Sequence, residues 1–294
     1  MGKYSQEPIL LVGPICIDHT PQGMQLGGAV SYAASVIHSM GYKARILTIG
    51  NSNIDLGVLK KHELHIIPDK KVLTFEIDTP KKERRLKLLQ KPSKKITIND
   101  LPRSWQGNNT LIMAPLIEND IELLPFLEFS DNINNISLLT QGLQRRGENE
   151  IFYSEISHFN SFLSFFTNSF SIFRSEQESN FWSAEQMNQT LKTGARVITT
   201  LGKQGASIHK SNKITKIQPV PTNSELDTTG AGDTFATAFT LSLKYGERQA
   251  GNLAAAYATS SIEQVGPTLL PPQKIIHKRV LDELSTFDHN HQGD

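Results

Sequence analysis

Strand-length apolar runs that alternate with helix-length amphipathic segments constrain the fold of this chain most. Residues 9–13 read Ile-Leu-Leu-Val-Gly and residues 44–50 read Ala-Arg-Ile-Leu-Thr-Ile-Gly. Between them residues 28–40 have helical length, with Val30, Ala33, Ala34 and Ile37 on one face and Gly41 as the stop. Together they make a βαβ unit. Runs of the same buried type recur at 110–114, 136–140, 169–173 and 196–200, and helical patterns at 121–129, 183–193 and 249–262 lie among them. A strand that is apolar on both faces needs cover on both. The pattern predicts an α/β fold with one central, mostly parallel sheet and helices on both faces, a single domain over residues 1–294.

One segment breaks the alternation. In residues 70–91, Phe75 and Ile77, then Leu86 and Leu88, alternate with polar residues around Pro80. This predicts two half-buried strands, a β-hairpin at about 70–95 standing outside the main sheet. The stretch 152–173 is rich in Phe, and its spacing reads as core packing.

Bulk properties narrow the partners. With 30 basic and 29 acidic residues among 294, the net charge is +1, which argues against a surface built for nucleic acid or anionic lipid and points to a small-molecule partner. The single cysteine, Cys16, lies in the apolar run 9–17 and reads as a buried thiol. The first residues lack the apolar core of a secretory signal, and no stretch reaches the ~20 apolar residues of a membrane span. A cytoplasmic protein, monomer or homodimer, is expected.

The run Asp227-Thr228-Thr229-Gly230-Ala231-Gly232-Asp233 carries the chemistry. A helical run of small and apolar residues follows it, so the glycines sit where free helix-start N–H groups point outward, an arrangement that cradles phosphate. Asp233 at the helix start would cap it in most chains. Beside a phosphate, a carboxylate repels the ligand, so its presence here predicts a base that takes the proton of an attacking hydroxyl.

The segment 227–240 closely resembles the C-terminal signature of the PfkB/ribokinase carbohydrate kinases. It is not a Walker loop, because no Gly-Lys-Ser/Thr follows the glycines. The resemblance implies a ribokinase-like fold in which Asp233 is the catalytic base and Gly230, Ala231 and Gly232 form the anion hole. The N-terminal half is similar too: Asp18 with Gly27 and Gly28 stand where the family binds sugar hydroxyls, and Tyr32 stands where it commonly has Asn. Thr200, Gly202 and Gly205 resemble the Thr-x-Gly-x-x-Gly segment that lines the nucleotide site, with Asn252 beside the adenine and Gly266 in the loop that closes it. The cofactors implied are ATP and Mg²⁺. Glu178, with Ser175 in place of the family's Asn, would organise Mg²⁺ through water, and Asp227 and Thr229 would hold a monovalent cation such as K⁺. The hairpin would be the family's lid over the sugar.

Two further candidates come from position. Arg84 and Arg85 in the hairpin are placed to reach a phosphate, or form a solvated charge run. Gln141 and Arg145 follow a strand's C-terminal end, where open α/β sheets place ligands. The reading is an ATP-dependent kinase of a sugar or polyol, with a myo-inositol-like, ribose or fructose-like acceptor. Tyr32, Thr74-Phe75-Glu76 with Arg84-Arg85, and Gln141-Gly142 are more similar to the group that includes myo-inositol kinases than to ribokinase. The rivals are a nucleoside kinase of the same fold, a vitamin kinase of hydroxymethylpyrimidine type, and a catalytically silent member serving as a binding or regulatory subunit.

Overall fold

A computed structural model of the chain describes residues 9–51, 53–78 and 85–290. Its strands, in order, are β1 (Ile9–Val12), β2 (Cys16–Thr20), β3 (Gly23–Gly27), β4 (Ala44–Gly50) and β5 (Glu63–Pro68). Then come β6 (Leu73–Asp78), β7 (Arg85–Gln90), β8 (Thr110–Met113), β9 (Asn135–Leu139), β10 (Arg145–Arg146) and β11 (Phe152–Tyr153). The last four are β12 (Phe170–Ser175), β13 (Arg196–Thr200), β14 (Ala206–Lys210) and β15 (Lys213–Ile217). The helices are α1 (Ala29–Ser39), α2 (Leu123–Phe129), α3 (Gln141–Gln144), α4 (Phe159–Leu163) and α5 (Glu176–Ser179). They are followed by α6 (Ala184–Lys192), α7 (Ala231–Ser242), α8 (Glu247–Ile262) and α9 (Gln273–Asn290).

The main sheet runs β15-β14-β13-β12-β9-β8-β1-β4-β5, parallel from β13 to β5, with β14 and β15 added antiparallel at one edge. Alternation within β1 divides the core. Ile9 and Leu11 pack with α1, α7 and α8 on one face, while Leu10 and Val12 pack with α2 and Phe159 of α4 on the other. The expected parallel sheet covered on both faces is what the chain forms, and the two edge strands β5 and β15 join it where no continuous apolar run marks a strand.

The expected hairpin forms, and it is part of a larger sheet. β6 and β7 do pair antiparallel, but β2 joins β6 in parallel and β3 joins β2, so the lid is a four-stranded sheet ordered β3-β2-β6-β7. The apolar run 9–17 is not one strand. It breaks at Gly13, where a Cβ would lie 2.6 Å from the Ala114 carbonyl oxygen, and Cys16 beyond the break belongs to the lid. The turn expected at Pro80 and the candidate Arg84 lie outside the described residues. Among those described, no helix is long and apolar enough to cross a membrane.

Candidate active site

α7 opens at Gly230, whose φ of 75° and ψ of 2° are left-handed and favour glycine. A Cβ there would also sit 2.3 Å from the Tyr32 ring, which underlies the turn. Gly232 differs. A Cβ on it would meet nothing within 4 Å, so packing within the chain does not demand a glycine, and the open space lies over first-turn amides that have no intrahelical acceptor. Asp227 fastens the loop from behind, its Oδ1 accepting from the Thr229 amide at 2.9 Å and its Oδ2 from the Gly266 amide at 3.1 Å.

The cradle forms one end of a cavity of about 250 Å³. The lid supplies Asp18, Phe75, Ile77 and Leu86, the ends of the main strands supply Leu139, Phe173 and Thr200, and α7 supplies Gly232 and Asp233. Asp18 is 3% exposed and accepts from the Cys16 thiol at 3.2 Å. Gly27 is dictated by this carboxylate, because a Cβ there would lie 2.2 Å from Asp18 Oδ2. Gly28, with φ of 86°, passes the chain into α1 beside the cavity. Burial and the neighbouring Asp18 push the Cys16 thiol well above its ordinary range. Burial, then Asp227, Asp18 and Asp233, likewise keep the Tyr32 phenol protonated.

Two further buried charges face the same space. Glu178 forms a capping box with Ser175, accepting from its amide at 2.8 Å, and burial raises its carboxyl pKa. Arg145 donates to the Leu116 carbonyl at 3.2 Å and lies 5.9 Å from the Phe75 ring centroid. Burial alone would favour its neutral form, and Tyr153, Glu178 and Asp233 outweigh that and keep it charged. Asp120 fixes the Leu116 backbone by accepting from the Leu116 and Ile117 amides, and burial brings its pKa up to about 7.

Gln141 reaches across the cavity and donates from Nε2 to Asp233 Oδ1 at 3.0 Å. The other expected residues are placed unevenly. Thr200 and Thr229 line the cavity; Gly202 and Gly205 shape the β13–β14 turn outside its lining, and Asn252 sits half-buried on α8, also outside it. Gly205 has a packing reason, since a Cβ would lie 2.1 Å from the Ile217 carbonyl oxygen. Arg85 is exposed opposite Asp78, and its neighbour Leu86 is the residue that lines the cavity. Sequence reasoning missed Tyr153 and the bond between Gln141 and Asp233, a pair 92 positions apart that no local pattern links.

No cluster of three or more His, Cys, Asp or Glu able to hold a metal occurs among the described residues, so a divalent ion here would be held jointly with phosphate oxygens and water, as Mg²⁺ commonly is. Glu178, the carboxylate expected to organise Mg²⁺, lies in the cavity lining.

Comparison with known proteins gives a family match over part of the chain and a fold for the whole. The model of the pfkB family carbohydrate kinases matches residues 165–274. No curated protein matches. Among solved structures, the fructokinase of Vibrio cholerae O395 with fructose, ADP and calcium bound superposes with a TM-score of 0.74 at 18% identity, over 94% of this chain and 99% of that one. The nucleoside kinase of Methanocaldococcus jannaschii, an archaeal member of the ribokinase family, gives 0.71 at 18% identity over 95% and 100%. A pyrophosphate-dependent myo-inositol-1 kinase converted into a myo-inositol-3 kinase gives 0.70 at 16% identity over 94% and 99%. The shared fold is ribokinase-like.

Proposed function

Because residues 165–274 carry the pfkB carbohydrate kinase pattern on a ribokinase-like fold, we propose that the chain transfers the γ-phosphoryl group of ATP to a hydroxyl of a neutral sugar or polyol. The observation that carries this is Asp233 on the first turn of α7, inside the cavity and at a helix start that no side chain caps. The acceptor hydroxyl gives its proton to Asp233, its oxygen attacks the γ-phosphorus, and ADP leaves. The first-turn amides of α7 face the charge on the transferred group, where preorganised donors act most strongly.

Asp18 is the ligand for other hydroxyls of the acceptor, and Arg145 the donor opposite it. The cavity lining holds three carboxylates, Asp18, Glu178 and Asp233, against the guanidinium groups of Arg145 and Arg174. An anionic acceptor would face that excess, so a neutral polyol such as a cyclitol, ribose or fructose fits better than a phosphorylated or carboxylated one. Mg²⁺, held by Glu178 through water, would offset phosphate charge. Asp227 already ties two loops through its oxygens, and with Thr229 it is the place for a monovalent cation.

A second donor is favoured by one observation. Gly202, Gly205 and Asn252, expected around the nucleotide, all lie outside the cavity lining, and a small donor such as inorganic pyrophosphate would need none of them. Retention of Asp233 and the glycines argues against a catalytically silent role. The test is turnover with ATP and, separately, with pyrophosphate against a panel of polyols, sugars and nucleosides, reading release of ADP or phosphate. Release that depends on a neutral polyol or sugar supports the proposal. Turnover confined to nucleosides reassigns the acceptor, and no acceptor-dependent release with either donor overturns the kinase reading.

A further inference from the structure

We propose that Gln141 is a positioning residue for the base, holding the Asp233 carboxylate in its rotamer and favouring its ionised form. This rests on the reading of Asp233 as the base. The geometry is a direct bond, Gln141 Nε2 to Asp233 Oδ1 at 3.0 Å, between two elements that meet at the cavity.

The backbone that carries Gln141 is held tightly. It is the first residue of α3, separated from β9 by Thr140 alone, and the Leu143 amide returns to the Thr140 carbonyl at 2.9 Å. The next residue, Gly142, is pressed against another loop: its amide donates to the Pro115 carbonyl at 3.1 Å, and a Cβ on it would stand 2.4 Å from the Pro115 carbonyl carbon. Thr140 is tied in turn through its hydroxyl to the Phe173 carbonyl at 3.1 Å. Gln141 therefore presents its amide from a fixed point, and a donor fixed in space orients the carboxylate that accepts from it.

The chemistry of an amide suits this task better than a charge would. Its N–H stabilises the carboxylate over the carboxylic acid, so the base stays ionised, and it cannot itself take the proton. The other groups around Asp233 work in opposite directions. Arg145 on β10 favours its charge, whereas Glu178 on α5 and Asp18 on β2 line the same cavity as like charges, and Tyr32 on α1 and Cys16 on β2 stay neutral nearby. Gln141 adds a donor on the side of ionisation without adding charge that would bind the acceptor or the donor phosphates.

The experiment compares wild type with Gln141→Leu and Gln141→Glu, in the full chain, by two readouts. One is the pH dependence of kcat with the best acceptor. The other is titration of the ¹³C-labelled Asp233 carboxyl followed by NMR, which needs no turnover. In Gln141→Leu the carboxyl titration and the acid limb of kcat should both move up by about one pH unit, since a hydrogen bond to a charged group is removed. At neutral pH kcat should fall about tenfold from lost positioning, with the acceptor KM little changed. In Gln141→Glu, of the same size, the titration should move further in the same direction because a like charge replaces the donor. Unmoved titration and acid limb in both variants would overturn the proposal. So would a rise in acceptor KM alone, which would make Gln141 an acceptor ligand. If no acceptor turns over at all, the kinase reading fails, and the titration still decides separately whether Gln141 sets the state of Asp233.

Discussion

Two glycines two positions apart do different work. Gly230 answers to the protein: its backbone is left-handed and the Tyr32 ring fills the space a side chain would take. Gly230→Ala should cost about 2–4 kcal/mol of stability, from left-handed strain together with overpacking, seen as a lowered midpoint in denaturant. Gly232 has ordinary helical surroundings and open space around a Cβ. Gly232→Ala should leave stability unchanged or slightly raised, because alanine is the better helix residue, while phosphoryl transfer falls sharply as the methyl enters the path of the phosphate. Unchanged activity in Gly232→Ala would mean that the cradle does not bind the donor. The two variants together separate a residue kept for folding from one kept for a ligand.

At the scale of elements, one carboxylate clasps the two ends of the β6–β7 segment beside the main sheet. Asp69, just after β5, accepts from the Lys71 amide at 2.9 Å through Oδ1, and through Oδ2 from the Ser93 amide at 3.0 Å, the Ser93 hydroxyl at 2.7 Å and the Lys94 amide at 3.1 Å. It thus ties the chain entering β6 to the chain leaving β7. Burial works against the charge, but these donors outweigh it and hold the carboxyl down to about 2. An unfolded Asp titrates near 4, so the stabilisation is complete above about pH 4 and is lost as pH falls toward 2. Asp69→Asn should be less stable at neutral pH and show a flatter loss of stability across that acid window, measured by denaturant unfolding at several pH values. An unaltered pH profile would exclude Asp69 as the clasp.

The lid also shows what the sequence made legible and what it did not. Main-sheet strands were legible because burial on both faces leaves a continuous apolar run, and α1, α7 and α8 because small and apolar residues follow helical spacing. β2 and β3 were not: Cys-Ile-Asp-His-Thr carries its buried residues on one face only, and β3, Gly-Met-Gln-Leu-Gly, offers only Met24 and Leu26, neither of them fully buried. Within the site, Asp233 and its glycines announced themselves because loop and helix start are contiguous. Glu178 was legible as a helix-start acid, but its burial was not, because what covers it comes from distant strands. Tyr153 and the reach of Gln141 to Asp233 depend on tertiary contacts between remote segments, which leave no spacing to read.

On the scale of the whole molecule, the cavity lies where two sheets meet. The lid brings Asp18 and an apolar wall of Phe75, Ile77 and Leu86; the main sheet brings strand ends with Gln141 and Glu178 just beyond them; α7 brings Asp233, the proposed base, and its first-turn amides. Neither sheet alone encloses the acceptor. This division explains how a near-neutral chain, with net charge +1, can gather carboxylates at one point: Arg145 lies among them, and donors from the Cys16 thiol, the Ser175 amide and the Gln141 side chain reach Asp18, Glu178 and Asp233. The most direct measurement is kcat for Asp233→Asn with the acceptor identified by the panel, at saturating donor and neutral pH. Loss of the base predicts a fall of about 10²- to 10⁴-fold, carried by kcat while acceptor and donor still bind; a kcat equal to that of wild type would contradict the assignment of Asp233 as the base.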